Sequence, residues 1–183
     1  MLRHKKVKIS NGFTLVELLV SAFIIALVSS VFMVNYHNTN KRSGLTMAKQ
    51  KLASDIRLAQ NNSLGSKDYN GVNVWGVHFA LSGPGEYIIF ADKPVDGELE
   101  GNKTYEADEA VETKTLPAGI TINSLSPDDE VDVVFFPPNP VTYINGLAVY
   151  DNQARPARIV LKESITNSTA AVTVNLFGLI DVE

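Results

Sequence analysis

A nearly unbroken run of apolar side chains occupies residues 13–34, and Glu17 is the only residue among them with a formal charge. As an α-helix that rises ~1.5 Å per residue, these 22 residues would extend about 33 Å, enough to cross a ~30 Å hydrocarbon core. The cations before the run have no acid among them: Arg3, Lys5, Lys6 and Lys8. Positive flanks favour the cytoplasmic side, so the pattern predicts a single pass with the rest of the chain outside the cytoplasm.

After the apolar run, the pattern is polar over residues 35–44 and then amphipathic up to Gly65. Residues at spacings of three and four share one helix face: Leu45, Ala48, Leu52, Ile56, Ala59 and Ser63. We therefore expect one long helix with a transmembrane half at 13–34 and an amphipathic half at 35–65, ended by Gly65. Its weakest part is the stretch 35–44, because Asn and Gly each lower helix propensity by up to ~1 kcal/mol.

Residues 66–183 have the pattern of a β-rich domain. Trp75, Val77 and Phe79 recur at period two, and a turn at 82–85 leads to a second strand at 87–90. Further strands are predicted at 120–125, 131–136, 141–150, 158–162 and 171–176. Asn145-Gly146 predicts a tight turn within 141–150, and the prolines of 137–140 predict a connection or sheet edge. Residues 93–115 are acidic and without periodicity, which predicts a long exposed loop with room for a short strand or turn.

Together these elements predict an α+β fold, in which the amphipathic helix half packs on an antiparallel sheet of about six to eight strands. With 45% hydrophobic residues, the chain can form one packed core. It has no cysteine, which excludes disulfides and thiolate metal sites. The net charge is −4, and −8 without residues 1–12. A chain this acidic is a poor nucleic-acid binder, because phosphate contacts need clustered Lys and Arg, and residues 163–183 contain neither.

Glu17 lies inside the predicted span, where an ionised side chain costs at least ~2.5–3.5 kcal/mol and is expected to have a functional partner. A cut after Gly12 would create an ammonium group on Phe13, one helical turn from Glu17. That group could pair with Glu17 in its own chain or in a neighbour, where a buried pair would set the register between subunits. The alternative is a glutamate tolerated by the helix dipole and by snorkelling to the interface.

The stretch Gly12-Phe13-Thr14-Leu15-Val16-Glu17-Leu18-Leu19-Val20 resembles the class III signal of type IV prepilins and type II secretion pseudopilins. The resemblance covers about the first 30 residues: a basic leader, Gly before Phe, Glu at the fifth position after the junction, and a long apolar helix. Residues 48–60 are also similar to the second half of the long helix in GspH/FimT-like minor pseudopilins. The resemblance therefore implies a pilin-like α+β architecture.

The resemblance also implies a maturation pathway. A prepilin peptidase would remove the cytoplasmic leader, residues 1–12, by cutting between Gly12 and Phe13, and Phe13 would then be N-methylated. The mature subunit would remain in the inner membrane, in contact with lipid, until assembly. Other pilin or pseudopilin subunits and the inner-membrane assembly platform would then take it into a filament, with Glu17 contacting the Phe13 amine of an adjacent subunit. The weak stretch 35–44 is either a solvated helical segment or a region that melts on assembly.

Calcium is a candidate ligand of the acidic loop. Asp96, Glu98 and Glu100 alternate and are followed by Gly101, which is the order of the opening of an EF-hand loop. The match fails at the twelfth position, which is Ala107. A solvated acidic loop without a metal is therefore the main alternative.

Two other function classes compete with a filament subunit. A membrane-anchored extracytoplasmic module that binds calcium or a protein partner would keep the helix but would not polymerise. An enzyme has little support, because no nucleophile, phosphate-loop or zinc-protease pattern occurs and the pattern around His78 predicts a solvent-facing or edge side chain. A cleaved secretory signal would have a shorter apolar core, of about 7–15 residues.

Overall fold

The computed structural model describes residues 13–94, 101–138, 141–148 and 151–183, with the backbone alone described at 34–41. The chain divides into two compact units, of which the first ends at Thr39 and the second begins at Asn40. The helix α1 (Leu15–Leu64) contributes to both. Its backbone is helical throughout, so the polar stretch 35–44 does not interrupt it.

In the first unit, α1 contains one segment that is long and apolar enough to cross a membrane, Leu15–Met33, with a mean hydropathy of 2.5. Every side chain from 13 to 33 is exposed in the single chain. The hydroxyls of Ser21 and Ser30 each donate a 2.7 Å hydrogen bond to a carbonyl of the preceding turn, which satisfies these donors within the helix. So large an apolar surface requires lipid or neighbouring chains around it.

Among its described residues, the second unit combines the C-terminal half of α1 with nine strands. The strands are β1 (Trp75–Ala80), β2 (Glu86–Ala91), β3 (Ala110–Thr115), β4 (Ile120–Ser126), β5 (Glu130–Phe136), β6 (Val141–Ile144), β7 (Ala157–Glu163), β8 (Thr169–Val174) and β9 (Ile180–Val182). A short 3-10 helix, Ala107–Glu109, precedes β3. The strands form two antiparallel sheets, with the orders β3-β2-β1-β5-β6 and β4-β7-β8-β9.

The core lies between the predicted stripe of α1 and the inner faces of both sheets. All six predicted positions of the stripe are buried. The five apolar ones join one cluster with side chains of β1, β5 and β7, such as Val77, Val133 and Ile159. Each buried Leu or Ile contributes roughly 1.5–3 kcal/mol, so this seam fixes the helix on the sheets.

A second, smaller cluster lies apart from the main core. Val74, Phe90 and Val134 are buried there, with Tyr105, Phe136 and Tyr143 packed against them. Gly76 is required in this cluster, because a Cβ at that position would collide with the Phe90 ring. Since Tyr105 belongs to the segment 101–109, that segment covers part of the five-stranded sheet.

The predicted α+β pilin-like architecture is confirmed, with three differences in detail. The strands form two sheets rather than one. The predicted loop 93–115 is shorter, because its last six residues form the edge strand β3, in which every side chain is at least partly exposed and gives no apolar period. The strand β9 was not predicted, because it has only three residues. Asn145-Gly146 forms the predicted tight turn, in which Ile144 and Leu147 exchange backbone hydrogen bonds.

Candidate processing and assembly site

The N-terminus of α1 is closed by reciprocal hydrogen bonds between Thr14 and Glu17. The N–H and the hydroxyl of Thr14 donate to Glu17 Oε2 at 2.9 and 2.8 Å. The Glu17 N–H donates to Thr14 Oγ1 at 3.2 Å. This is a capping box, which satisfies N–H groups that the first helical turn leaves without a partner. The spacing from Thr14 to Glu17 is that of the S/T-x-x-E signature, so the role of Thr14 was readable from the sequence but is absent from our prediction.

The capping box gives the Glu17 carboxylate a structural role inside the apolar span. Two donors of its own chain and the positive end of the helix dipole partly compensate the charge of Glu17. An ionised carboxylate has about four lone-pair sites, so an ammonium group can still bind beside Thr14. Glu17 therefore combines a local structural role with remaining capacity for a cation.

The predicted pair of Phe13 and Glu17 depends on cleavage. Before cleavage the Phe13 nitrogen belongs to a peptide bond and carries no charge, whereas a cut would make it an ammonium group. Phe13 precedes α1 and is 84% exposed. Gly12 lies outside the described residues, so the cut and the pair stay predictions.

The base of the acidic loop is described, although its predicted ligands Asp96, Glu98 and Glu100 lie outside the described residues. Pro94 and Gly101 form an isolated antiparallel bridge that closes the loop. Asp92 is buried beside it, and a Cβ at Gly101 would overlap its carboxylate. The Lys103 N–H reaches the two Asp92 carboxylate oxygens only at 3.4 and 3.3 Å. Burial and the nearby charge of Glu109 raise the pKa of Asp92 to about 7.

Glu109 connects the residues before and after the same loop through hydrogen bonds. Its carboxylate accepts the Lys93 N–H at 2.6 Å and the Glu106 N–H at 2.9 Å. Burial raises the pKa of Glu109 above its ordinary value. In the part of the chain that the structure describes, no group of three or more His, Cys, Asp or Glu side chains could hold a metal. Calcium binding therefore stays a prediction about residues 95–100.

The prediction of a solvent-facing or edge His78 is wrong, because the side chain is half-buried and β1 lies inside the five-stranded sheet. The Nδ1 of His78 lies 2.7 Å from Asp132 Oδ1, and its ring lies 4.4 Å from the Tyr105 ring. The second oxygen of Asp132 accepts the Tyr105 N–H at 3.0 Å. The contacts of His78 therefore hold the segment 101–109 on the sheet, which is a structural role.

Comparison with known protein families identifies a signal at the start of the chain. Residues 8–33 match the family model described as "Prokaryotic N-terminal methylation motif". No curated protein and no solved structure matches the chain. The match covers the end of the predicted leader, the Gly12-Phe13 junction, the Thr14–Glu17 cap and the apolar helix. The chain thus carries at residues 8–33 a prokaryotic N-terminal methylation motif, the signal of type IV prepilin-like proteins.

Proposed function

We propose that the protein is a structural subunit of a type II secretion pseudopilus or a type IV pilus. A prepilin peptidase cuts it between Gly12 and Phe13, Phe13 is methylated, and the helix carries the subunit from the membrane into the filament. The protein thereby serves secretion or a surface-filament function. The strand-rich domain without cysteines slightly favours a secretion pseudopilin, of the GspH/FimT-like minor type.

The observation that carries the proposal is the methylation motif on a helical segment, residues 13–33, whose apolar side chains are all exposed in the single chain. A span of 19 residues suits a bilayer, and the same apolar side chains can pack against neighbouring helices once the subunit leaves the membrane. Since the domain after Asn40 has its own core, the span is available for both environments.

Glu17 supplies the specific contact of assembly in this proposal. The ammonium of a neighbour's Phe13 would bind the carboxylate beside Thr14 and remove the penalty of an uncompensated charge. Such a buried pair contributes to specificity of register more than to stability. A neighbour shifted by one helical turn would leave the charge unpaired, so the contact selects one axial position.

Two substitutions separate the cap from the assembly contact. Glu17→Ala removes the carboxylate, whereas Thr14→Val removes only the hydroxyl that bonds to it. We expect both variants to be inserted and cut, since neither changes Gly12 or the apolar run. Glu17→Ala should lose most assembled filament, measured by shearing and by crosslinking of subunits in the envelope. Thr14→Val should assemble close to the wild-type level.

Wild-type assembly by Glu17→Ala would overturn the role of the carboxylate. An equal loss in Thr14→Val and Glu17→Ala would assign the defect to the cap instead. Failure of the unaltered protein to be cut or to assemble would overturn the proposed function itself.

A further inference from the structure

The turn between β8 and β9 is rigidly constructed although it is on the surface. The Asn175 side chain accepts the N–H groups of Phe177 and Leu179, both at 2.9 Å. Backbone hydrogen bonds also join Asn175 with Leu179 and Gly178 with Asn175. The turn is therefore fixed by its own side chain and backbone before any partner binds.

The centre of this turn is also anchored to the domain. The Gly178 carbonyl accepts a 2.9 Å hydrogen bond from Gln60 of α1. Gly178 has φ +77°, and a Cβ there would lie 2.7 Å from Gln60 Nε2 and 2.9 Å from Thr142 Oγ1. Backbone at this position thus packs directly on α1 and β6.

On either side of Gly178, the turn holds a large apolar side chain in solvent. Phe177 is 75% exposed and Leu179 is 66% exposed. We call these two residues the apolar knob. A side chain exposed to this degree contributes little to the stability of its own domain, whereas rigid aromatic groups are typical anchors of protein interfaces. The fixed turn lowers the entropy that binding would cost.

A groove of about 150 Å³ lies elsewhere on the same domain, at the turn between β1 and β2. Its lining is mixed: Ala80, Gly83, Tyr87 and Ile88 lie beside His78, Ser82 and Glu86. A volume of about 150 Å³ is large enough to hold a benzene ring. The groove therefore has room for the phenyl group of Phe177, which would lie between apolar and polar side chains.

The knob and the groove lie at opposite ends of the same strands. The groove begins at Ala80, the last residue of β1. Gly178, between the two knob residues, lies against Thr142. Thr142 pairs with Phe135, which in turn pairs with Trp75, the first residue of β1. At ~3.3 Å per residue, these two ends of β1 are about 17 Å apart. One domain cannot fill its own groove with its own knob.

The two surfaces carry groups of opposite charge. Two exposed acids lie at the groove: Glu86 lines it, and Glu130 pairs with Ala80 across the strands. Beside the knob, the exposed guanidinium of Arg57 donates to the Ile180 carbonyl at 3.2 Å. Asp181 is the acid nearest to Ile180 in the sequence, and its carboxylate accepts a hydrogen bond from the N–H of Val182. Docking would bring Arg57 to the acidic rim.

We propose that the apolar knob of one copy inserts into the groove of the next copy. This inference rests on the proposed function, since it assigns the contact between globular domains in the filament. A contact between two different patches of the same molecule is heterologous, and such contacts generate open helical assemblies when they do not close into a ring. The contact would fix the domains of successive subunits, independently of the pairing at Glu17.

Introduced cysteines test the contact in the full-length protein in its envelope, since the chain has none of its own. Leu179→Cys with Ser82→Cys keeps the Phe177 ring and should form a ladder of disulfide-linked dimers, trimers and higher species on mild oxidation. The control joins Leu179→Cys with Ser164→Cys, because Ser164 is also exposed and lies outside the groove. The control should give at most dimers, linked through the cysteines at position 179.

Matched substitutions test how much the apolar knob and the groove contribute to assembly. Phe177→Ala should lower assembled protein at least about tenfold, as expected for a buried aromatic anchor, while Ile165→Ala should not, although Ile165 is 65% exposed. Gly83→Phe should fill the groove and give the same loss. Gly85→Phe alters the same turn outside the groove, with no atom within 4 Å of its Cβ, and should assemble normally.

The outcomes separate this inference from the proposed function. A ladder specific to the 82–179 pair, with loss of assembly in Phe177→Ala and Gly83→Phe, supports the contact. Normal filaments from both variants without that ladder would overturn the contact and leave the proposed function standing. No filament from the unaltered chain would overturn both. If Gly83→Phe does not fold, the crosslink and Phe177→Ala decide.

Discussion

The hydroxyl of Tyr87 donates a 2.6 Å hydrogen bond to the carboxylate of Asp55, which joins β2 to the packed face of α1. Both residues are buried, and Lys51 binds the same carboxylate at 2.8 and 3.0 Å. Burial and the hydrogen bond to Asp55 raise the pKa of Tyr87 above its ordinary value, so the phenol stays the donor. This pair is a buried polar connection between helix and sheet, as is the hydrogen bond that the Ser63 hydroxyl donates to the Phe135 carbonyl.

Tyr87→Phe should destabilise the domain by about 1–3 kcal/mol, because it leaves a buried charged acceptor short of a partner. Lys51→Ala should cost less, about 0.5 kcal/mol, because the Lys51 side chain is 65% exposed and forms a helix-surface pair. Urea unfolding of the full-length protein in detergent measures both. Equal losses in the two variants would contradict the assigned importance of the Tyr87 bond.

Gly178→Ala should be more destabilising than Gly146→Ala. Both glycines have φ +77°, so both substitutions strain the backbone by about 1 kcal/mol or more. Only at Gly178 does the added Cβ also collide with Gln60 and Thr142, whereas nothing lies closer than 3.8 Å at Gly146. The difference between the two losses in free energy of unfolding measures the collision. No difference would mean that the turn moves away from α1.

The buried carboxylate of Asp92 makes stability depend on pH. An unfolded Asp has a pKa of ~3.9, whereas burial and the charge of Glu109 raise the pKa of Asp92 to about 7. Between these values the folded chain holds a proton that the unfolded chain has lost. The free energy of unfolding should therefore fall as pH rises from about 4 to 7 and level off above. The charged groups that face Asp92 are Glu109, Glu106 and Lys103.

Asp92→Asn removes this contribution while retaining an acceptor for the Lys103 N–H. Relative to the wild type, the variant should become more stable as pH rises from about 4 to 7, in urea unfolding at several pH values. Asp68→Asn, at an exposed position, is the control and should leave the slope of the free energy of unfolding against pH unchanged. The same slope in Asp92→Asn and the wild type would show that Asp92 is not the titrating group.

Gly12→Glu should block maturation, because it places a long charged side chain directly before the predicted cut. We expect an intact precursor that still enters the membrane through the apolar run, longer by residues 1–12 on a denaturing gel. Asn11→Ala changes the neighbouring position and should be cut normally. A Gly12→Glu chain that begins at Phe13 would contradict the assigned cleavage position.

Much of the fold could be predicted because apolar residues recur at helical or strand spacing where one face of an element is buried. The stripe from Leu45 to Ser63 repeats at helical spacing and is wholly buried, and Trp75, Val77 and Phe79 repeat at period two. By contrast, the edge strand β3 exposes side chains on both faces, so its pairing with β2 depends on backbone bonds that leave no pattern. The division into two sheets likewise depends on pairing between distant strands.

The site could be predicted only in part. The junction and Glu17 are sequential features, and the methylation motif confirms the signal. The buried pair of Asp92 and Glu109 and the contact of His78 with Asp132 join residues far apart in the sequence, so no local spacing indicates them. The groove and the apolar knob arise in the same way, from turns whose side chains have no periodic signal.

The most direct test of the filament proposal is the N-terminal mass of the native protein, taken separately from sheared surface material and from the envelope. A chain that begins at methylated Phe13 is the predicted result. Abundance in the sheared fraction would assign it to a pilus, and small amounts confined to the envelope would assign it to a pseudopilus or a minor initiating subunit. A chain that still begins at Met1 in both fractions would contradict the proposal and favour an anchored binding module.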